Sequence, residues 1–370
     1  MLIVDDSALI RAVLRDVVLG IDGFEVVGTA ADGNEAIAAV RSLRPDIVTL
    51  DVEMPGLDGL ATLEVIMRDF PRPVVMLSGA DTDGGVDLTL RALELGAVDF
   101  VRKADVSERD PGKIPIRLRT ALLAAAATNV GVVSRASTQQ RAVVYDGAGG
   151  AAHPGIAAPV QRSPAPGARA PVGLPARSVV VVAASTGGPR ALGDVVAGLA
   201  ADHDFAMLMA QHMPSGFTAR LARRLSKFTR FAVTEATDGE IVRQGTVYLA
   251  PGGQHMRVAA GSGGTRIVLD DGPTVWGVRP AADPLFVSAA QLYGEACVGV
   301  VLTGMGRDGA LGLSAVREAG GGAVVQDEAS SAVYGMPREA FAIAGADRTV
   351  TPAGVAGAAH ELLARHRVLK

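Results

Sequence analysis

Three polar residues in the second half of the chain are of the types that ester or amide hydrolysis needs: a nucleophile, a base and a carboxylate. Ser185 stands in Ala183-Ala184-Ser185-Thr186-Gly187-Gly188, directly after the β-branched run Val179–Val182. A serine on a sharp strand-to-helix turn exposes its hydroxyl beside helix N-terminal amides that stabilise negative charge. The small residues Ala183, Ala184 and Gly187 relieve crowding at such a turn. The A-x-S-x-G spacing departs from G-x-S-x-G in its first position, and Ser-Thr-Gly-Gly after a strand serves equally well as a phosphate-binding turn. His212, in Gln211-His212-Met213-Pro214, follows the run Ala206–Met209 and is the residue type that serves a serine as base at neutral pH. A lone histidine is otherwise a satisfied core or surface residue. His203, His255 and His360 compete with it, and only His255, in Ala250-Pro251-Gly252-Gly253-Gln254-His255, also follows a strand and a glycine turn. Asp308 lies in Thr303-Gly304-Met305-Gly306-Arg307-Asp308-Gly309-Ala310, after the strand Val298–Leu302. It can orient an imidazole, or it can simply cap a helix near Ala310–Ala319. The order Ser–His–Asp differs from the Ser–Asp–His of α/β-hydrolases and argues against a standard esterase fold.

A second constellation occupies the first hundred residues. Asp5 and Asp6 follow the run Leu2–Val4, Asp51 follows Asp46–Leu50, Ser78 follows Val74–Leu77, and Lys103 follows Asp99–Val101. Any one of these carboxylates alone reads as a strand-end or helix-cap residue. Three brought together repel one another and call for a hard divalent cation, and Mg²⁺ suits an all-oxygen site that keeps waters. With that charge balanced, Asp51 could attack a phosphoryl phosphorus, while Ser78 and Lys103 hold the phosphoryl oxygens.

The elements that must position these groups follow from periodicity. Leu2–Val4, Glu25–Ala30, Asp46–Leu50, Val74–Leu77 and Asp99–Val101 read as strands; Ala8–Val18, Asn34–Leu43, Leu60–Phe70, Val86–Leu95 and Ile114–Ala126 carry helical spacing. Five βα repeats imply a doubly wound parallel sheet, with functional residues at the carboxyl ends of its strands. The second unit is again α/β, with strands expected at Val179–Val182, Ala206–Met209, Thr246–Leu249, Arg266–Leu269, Val298–Leu302 and Ala323–Val325, and a helix near Arg190–Leu199. Between the units, residues 148–177 hold nine Ala, six Pro and five Gly and no Asp or Glu, which is linker composition. The expected domains are 1–127 and 178–370, joined by a linker over 128–177.

Composition narrows the function classes. Hydrophobic residues make up 49% of the 370 residues and charged ones 20%, which excludes global disorder. A net charge of −4 gives no basic footprint for nucleic acid, and no basic helix-turn-helix follows the linker. One cysteine, Cys297, rules out an internal disulfide and a cysteine-based zinc site and points to a reducing compartment. No stretch is long and apolar enough to span a membrane, and MLIVDDSAL has no basic n-region, so a cytoplasmic location is expected.

The words around these residues resemble known families. LIVDDS, DVEMPGLDG, MLSGA and DFVRK, within residues 2–103, are similar to a response-regulator receiver domain. That resemblance implies Asp51 as phosphoacceptor, Asp5, Asp6, Asp51 and the backbone carbonyl of Glu53 around Mg²⁺, Ser78 as switch hydroxyl and Lys103 as phosphate-sensing cation. Ala104 stands where the receiver pattern has proline. AASTGGP, QHMPSGFT, VYLAPGGQHM, TGMGRDGA and SAVYGMPREA resemble the catalytic domain of bacterial chemotaxis protein-glutamate methylesterases, which are also receptor glutamine deamidases. The implied fold is Rossmann-like α/β with a mostly parallel sheet. The implied roles are Ser185 nucleophile, His212 base and acid, Asp308 orienting carboxylate, Met305 amide as oxyanion donor and Thr186 as site lining, with no cofactor for hydrolysis. The implied partners are methyl-accepting chemoreceptors as substrate and a histidine kinase as phosphodonor. A receiver whose second domain only binds a partner is the competing reading, and an intact Ser185, His212 and Asp308 favours the enzyme.

Overall fold

Short β-branched runs alternating with amphipathic helices can bury both kinds of apolar face only in a parallel sheet covered on two sides. The computed structural model, which describes residues 1–79, 83–107, 115–134, 173–200 and 204–368, has this arrangement twice. The first sheet contains β1 (Leu2–Val4), β2 (Gly28–Ala30), β3 (Val48–Asp51), β4 (Val74–Ser78) and β5 (Asp99–Arg102), in the order β2-β1-β3-β4-β5, all parallel. β3 and β4 are buried along their whole length. β2 is shorter than the expected Glu25–Ala30: its ladder with β1 covers Gly28–Ala30, and before it only Met1 pairs, accepting the Val27 amide and donating to the Glu25 carbonyl. Beyond β5 the chain enters a short helix, Lys103–Ser107, through a trans peptide between Lys103 and Ala104. Without a proline after it, Lys103 is free to take the helical conformation.

The second unit holds seven strands in one fully parallel sheet, with the order β14-β13-β12-β6-β7-β9-β8. They are β6 (Val179–Ala184), β7 (Ala206–Gln211), β8 (Ala232–Glu235), β9 (Thr246–Leu249), β12 (Cys297–Val301), β13 (Gly322–Gln326) and β14 (Arg348–Val350). β10 (His255–Gly261) and β11 (Gly264–Asp270) form a separate antiparallel hairpin. The expected strand at Arg266–Leu269 therefore lies outside the main sheet: a two-residue connection permits only antiparallel pairing, whereas a parallel neighbour needs a crossover. The helices Gly188–Ala197, Phe217–Leu225, Ala282–Tyr293, Ala310–Glu318, Met336–Ala344 and Val355–Val368 also belong to the second unit.

The two units pack together. One cluster of buried apolar side chains runs through both, from Leu50, Leu63 and Phe100 to Val182, Leu192 and Phe217. At its centre Phe100 stacks on Phe217, with ring centroids 4.5 Å apart. Ion pairs join the helix Asp83–Leu95 to Phe217–Leu225, Arg220 to Asp87 at 2.7 Å and Arg224 to Glu94 at 2.8 Å. Of the expected linker, residues 135–172 lie outside the described residues; its two described edges are docked. The Asn129 amide donates to the Ala332 carbonyl, and the Leu174 carbonyl accepts from Gln244.

Candidate active site and phosphorylation site

Ser185, His212 and the Thr303–Asp308 turn follow three strands that are neighbours in the sheet, β6, β7 and β12, at their carboxyl ends. β6 is where the strand order changes direction, the place where open α/β sheets make their crevice. Gly187 has φ 78° and leads into the helix Gly188–Ala197, a turn that a side chain would strain. Gly304 passes so close to Ser185 that an added Cβ would lie 2.6 Å from the serine Cβ.

His212 Nε2 lies 2.7 Å from Asp308 Oδ2, and Asp308 is 2% exposed. The carboxylate also accepts the amides of Ala282 at 2.6 Å and Asp283 at 3.1 Å. An acceptor of this kind fixes Nε2 as the protonated nitrogen and leaves Nδ1 as the basic one. Burial would raise the Asp308 pKa, but His212 and the two amides hold it below the usual carboxylate range. Asp308 does not cap the helix that follows it. It caps Ala282–Tyr293, while Asp283 from that helix accepts the amides of Gly309 and Gly312 at the start of Ala310–Glu318. The two helices thus exchange capping carboxylates, and the exchange fixes the Asp308 side chain.

Some of the amides around Ser185 are committed. Its own N–H donates to the Thr303 carbonyl, Gly188 to Ser185 and Gly304 to Val333. The N–H groups of Thr186, Gly187 and Met305, the last on the same turn as Gly304, have no acceptor among the described residues. Gln211 escaped the sequence reading. Its buried amide donates to the carbonyls of Ser185 at 2.9 Å and His212 at 3.2 Å, tying the two turns together. His255 belongs elsewhere: Nε2 donates to the Pro273 carbonyl at 3.0 Å and Nδ1 accepts from Ala281. His360 lies on the C-terminal helix Val355–Val368, and His203 lies outside the described residues.

Ser185, Thr186 and His212 share a cavity of about 10 Å³ with Leu93, Val98, Asp99 and Phe100 of the first unit. That is space for about one water. Asp99 is gripped by Arg117 through both carboxylate oxygens, at 2.5 and 3.0 Å, and accepts from the Thr186 hydroxyl at 3.5 Å. The receiver-like unit therefore roofs Ser185 and His212.

In the first unit, the ligand atoms of Asp5, Asp6 and Asp51 lie within 4.8 Å of one another. Lys103 Nζ is 2.7 Å from Asp51 Oδ2 and 2.8 Å from Asp5 Oδ2. Lys103 thus bridges two buried carboxylates. Burial pushes the Asp51 carboxyl up to about 6, with help from Asp5 and against the pull of Lys103. Burial opposes the charge on Lys103, but its contacts with Asp5 and Asp51 outweigh that and raise its pKa. Three carboxylates whose ligand atoms lie this close, with one ammonium among them, keep a net negative charge that fits a hard divalent cation. Ser78 ends β4, buried and paired in register with Arg102, and Glu53 is exposed beside Asp51, whose Oδ1 accepts the Glu53 amide at 3.3 Å.

Comparison with known proteins agrees with both halves. Residues 1–109 match the response regulator receiver domain and residues 180–359 match the CheB methylesterase domain. The protein-glutamate methylesterase/protein-glutamine glutaminase of Pyrococcus horikoshii is 41% identical over 92% of this chain and 87% of its own length. The protein of the same name from Paraburkholderia xenovorans is 45% identical over 94% and 91%. The CheB methylesterase catalytic domain of Thermotoga maritima aligns over 50% of this chain and 98% of that structure, with 37% identity and a TM-score of 0.49. A receiver sheet, a roofed Ser–His–Asp site and relatives alike over nearly their whole length place this chain in the protein-glutamate methylesterase/protein-glutamine glutaminase family.

Proposed function

We propose that the chain is a phosphorylation-regulated serine esterase that removes methyl groups from glutamate esters on chemoreceptors and converts receptor glutamines to glutamate, in chemotaxis adaptation. The observation that carries this reading is the 2.7 Å contact between a buried Asp308 and His212, which lines the same small cavity as Ser185. Ser185 Oγ attacks the γ-carbonyl, and His212 Nδ1 takes its proton while Asp308 holds the imidazole through Nε2. The Met305 amide receives the developing oxyanion, and Thr186 lines the site. Methanol leaves with the proton from His212, and water then releases the glutamate from the acyl-enzyme. A glutamine gives the same acyl-enzyme with loss of ammonia, so one site serves both reactions.

Asp51 is the proposed phosphoacceptor, supplied by a histidine kinase in the cytoplasm. Asp5, Asp6, Asp51 and the Glu53 carbonyl would hold Mg²⁺, whose charge would offset that of the carboxylates and the incoming phosphoryl group. Lys103 and Ser78 would hold phosphoryl oxygens. The domains are taken as 1–127 and 178–370, and phosphorylation would favour their separation and so unroof Ser185. No helix among the described residues is long and apolar enough to cross a membrane. The deciding experiment is methanol release from methylated receptor membranes with a small phosphodonor and Mg²⁺. Release by the wild type and none by Ser185→Ala is expected; equal release by both would overturn the reading.

A further inference from the structure

Arg307 is a charged residue of the active-site turn to which the chemistry above gives no role. Its guanidinium is exposed and has no carboxylate or carbonyl acceptor among the described residues. It is nevertheless held in place, with its central carbon 4.8 Å from the centroid of the Trp276 ring. Trp276 has φ 56°, a left-handed conformation that a bulky side chain adopts only at a cost, and it is 46% exposed. The Trp276 indole N–H donates to Asp283 Oδ2 at 2.7 Å, and the other oxygen of Asp283 accepts the amides that follow Asp308. Strain of this kind persists where the surroundings over-determine it, and it gathers at functional sites. Here it holds an aromatic plate under a free cation.

That cation is next in sequence to the orienting carboxylate Asp308 and two residues from Met305. A guanidinium is a flat fork of donors that matches a carboxylate in two parallel hydrogen bonds. We infer that Arg307, positioned by Trp276, binds a carboxylate of the substrate protein that flanks the ester being hydrolysed. The inference rests on the methylesterase reading and names what that site recognises beside the reacting group. The partner is therefore an acidic side chain close in sequence to the reacting glutamyl residue. An acidic side chain there is drawn toward Arg307, whereas a neutral one gains nothing from it.

The test is steady-state demethylation by the full chain with phosphodonor, using receptor substrates with and without acidic residues flanking one methylated glutamate. Arg307→Gln is expected to raise KM on the acidic substrate about tenfold, equivalent to about 1.4 kcal/mol, with kcat unchanged. Arg307→Lys restores part of the loss. On the neutral-flank substrate, wild type and Arg307→Gln give the same KM, and only the wild type on the acidic substrate loses affinity with added salt. Trp276→Leu shifts KM in the same direction by less, with folding checked by circular dichroism. An effect on kcat alone, or a KM rise of equal size on both substrates, overturns the inference. Failure of wild type to release methanol at all would instead overturn the methylesterase reading, so the two failures are distinguishable.

Discussion

Reversing the charge of Glu94 should open the roofed site without touching it. Glu94 lies between Arg91, at 3.4 Å, and Arg224, at 2.8 Å from Nε, with a second contact to Arg224 Nη2. Arg224 and Glu94 are 23% and 21% exposed, so the pair is partly shielded and sits near the top of the range for such pairs, about 1 kcal/mol. Glu94→Arg removes that attraction and sets three cations together. Two unit charges at about 4 Å in an effective dielectric of about 20 repel by about 4 kcal/mol, of which swinging long side chains into water leaves roughly 1 kcal/mol. The closed arrangement then loses about 2 kcal/mol, close to a thirtyfold shift toward the open one. Initial methanol release without phosphodonor should rise by up to that factor, bounded by the rate of the phosphorylated wild type. Adding Arg224→Glu restores an opposed pair and should return the rate most of the way to the wild-type value. An unchanged unphosphorylated rate in folded Glu94→Arg, or a double variant as fast as the single one, refutes the argument that this interface holds the cover in place.

Ser185→Ala and His212→Ala should each abolish nearly all methanol release, whereas Asp308→Asn should leave more, because nucleophile and base act as a unit and the orienting group is partly dispensable; normal activity in His212→Ala would reassign the base. Asp51→Asn should prevent labelling by a small phosphodonor, read as loss of acid-stable, base-labile phosphate. Because the Asp51 carboxyl is raised to about 6, it carries a proton below that pH, and a cation must displace it. Mg²⁺ affinity measured by calorimetry should therefore fall as pH drops through 6, with proton release on binding. Asp283→Ala strands the amides of Gly309 and Gly312 and the Trp276 indole, and should cost about 2–3 kcal/mol, seen as a lower Tm.

Much of the site was legible because Ser185, His212 and Asp308 each follow a run of apolar residues long enough to read as a buried strand. Position at a strand end then implied convergence. The support around them was not legible. Asp283 opens a helix preceded by Ala281 and followed by Pro284, with no pattern that marks it as a cap for another helix. That capping is a tertiary exchange, so the capping alternative for Asp308 pointed to the following helix rather than to Ala282–Tyr293. Gln211 looked like the last residue of a strand, and only the fold brings the carbonyls of Ser185 and His212 to its amide. β8 went unseen because its residues are half-exposed at the sheet edge and lack a hydrophobic run. The pairing of Glu94 with Arg224 joins helices of different units, where neither periodicity nor motif reaches.

The order of strands in the two sheets also sets the order in which a growing chain can acquire its parts. The sheet of the first unit is complete once Arg102 has been made, and it borrows no strand from later sequence. The second sheet is different, because β6 lies between β7 and β12, and the turn bearing Asp308 follows β12. Domains fold from the N-terminus as synthesis proceeds. If the first unit folds as it emerges, it stands ready to cover the hydrolytic site while that site, which needs the later turn bearing Asp308, is still incomplete.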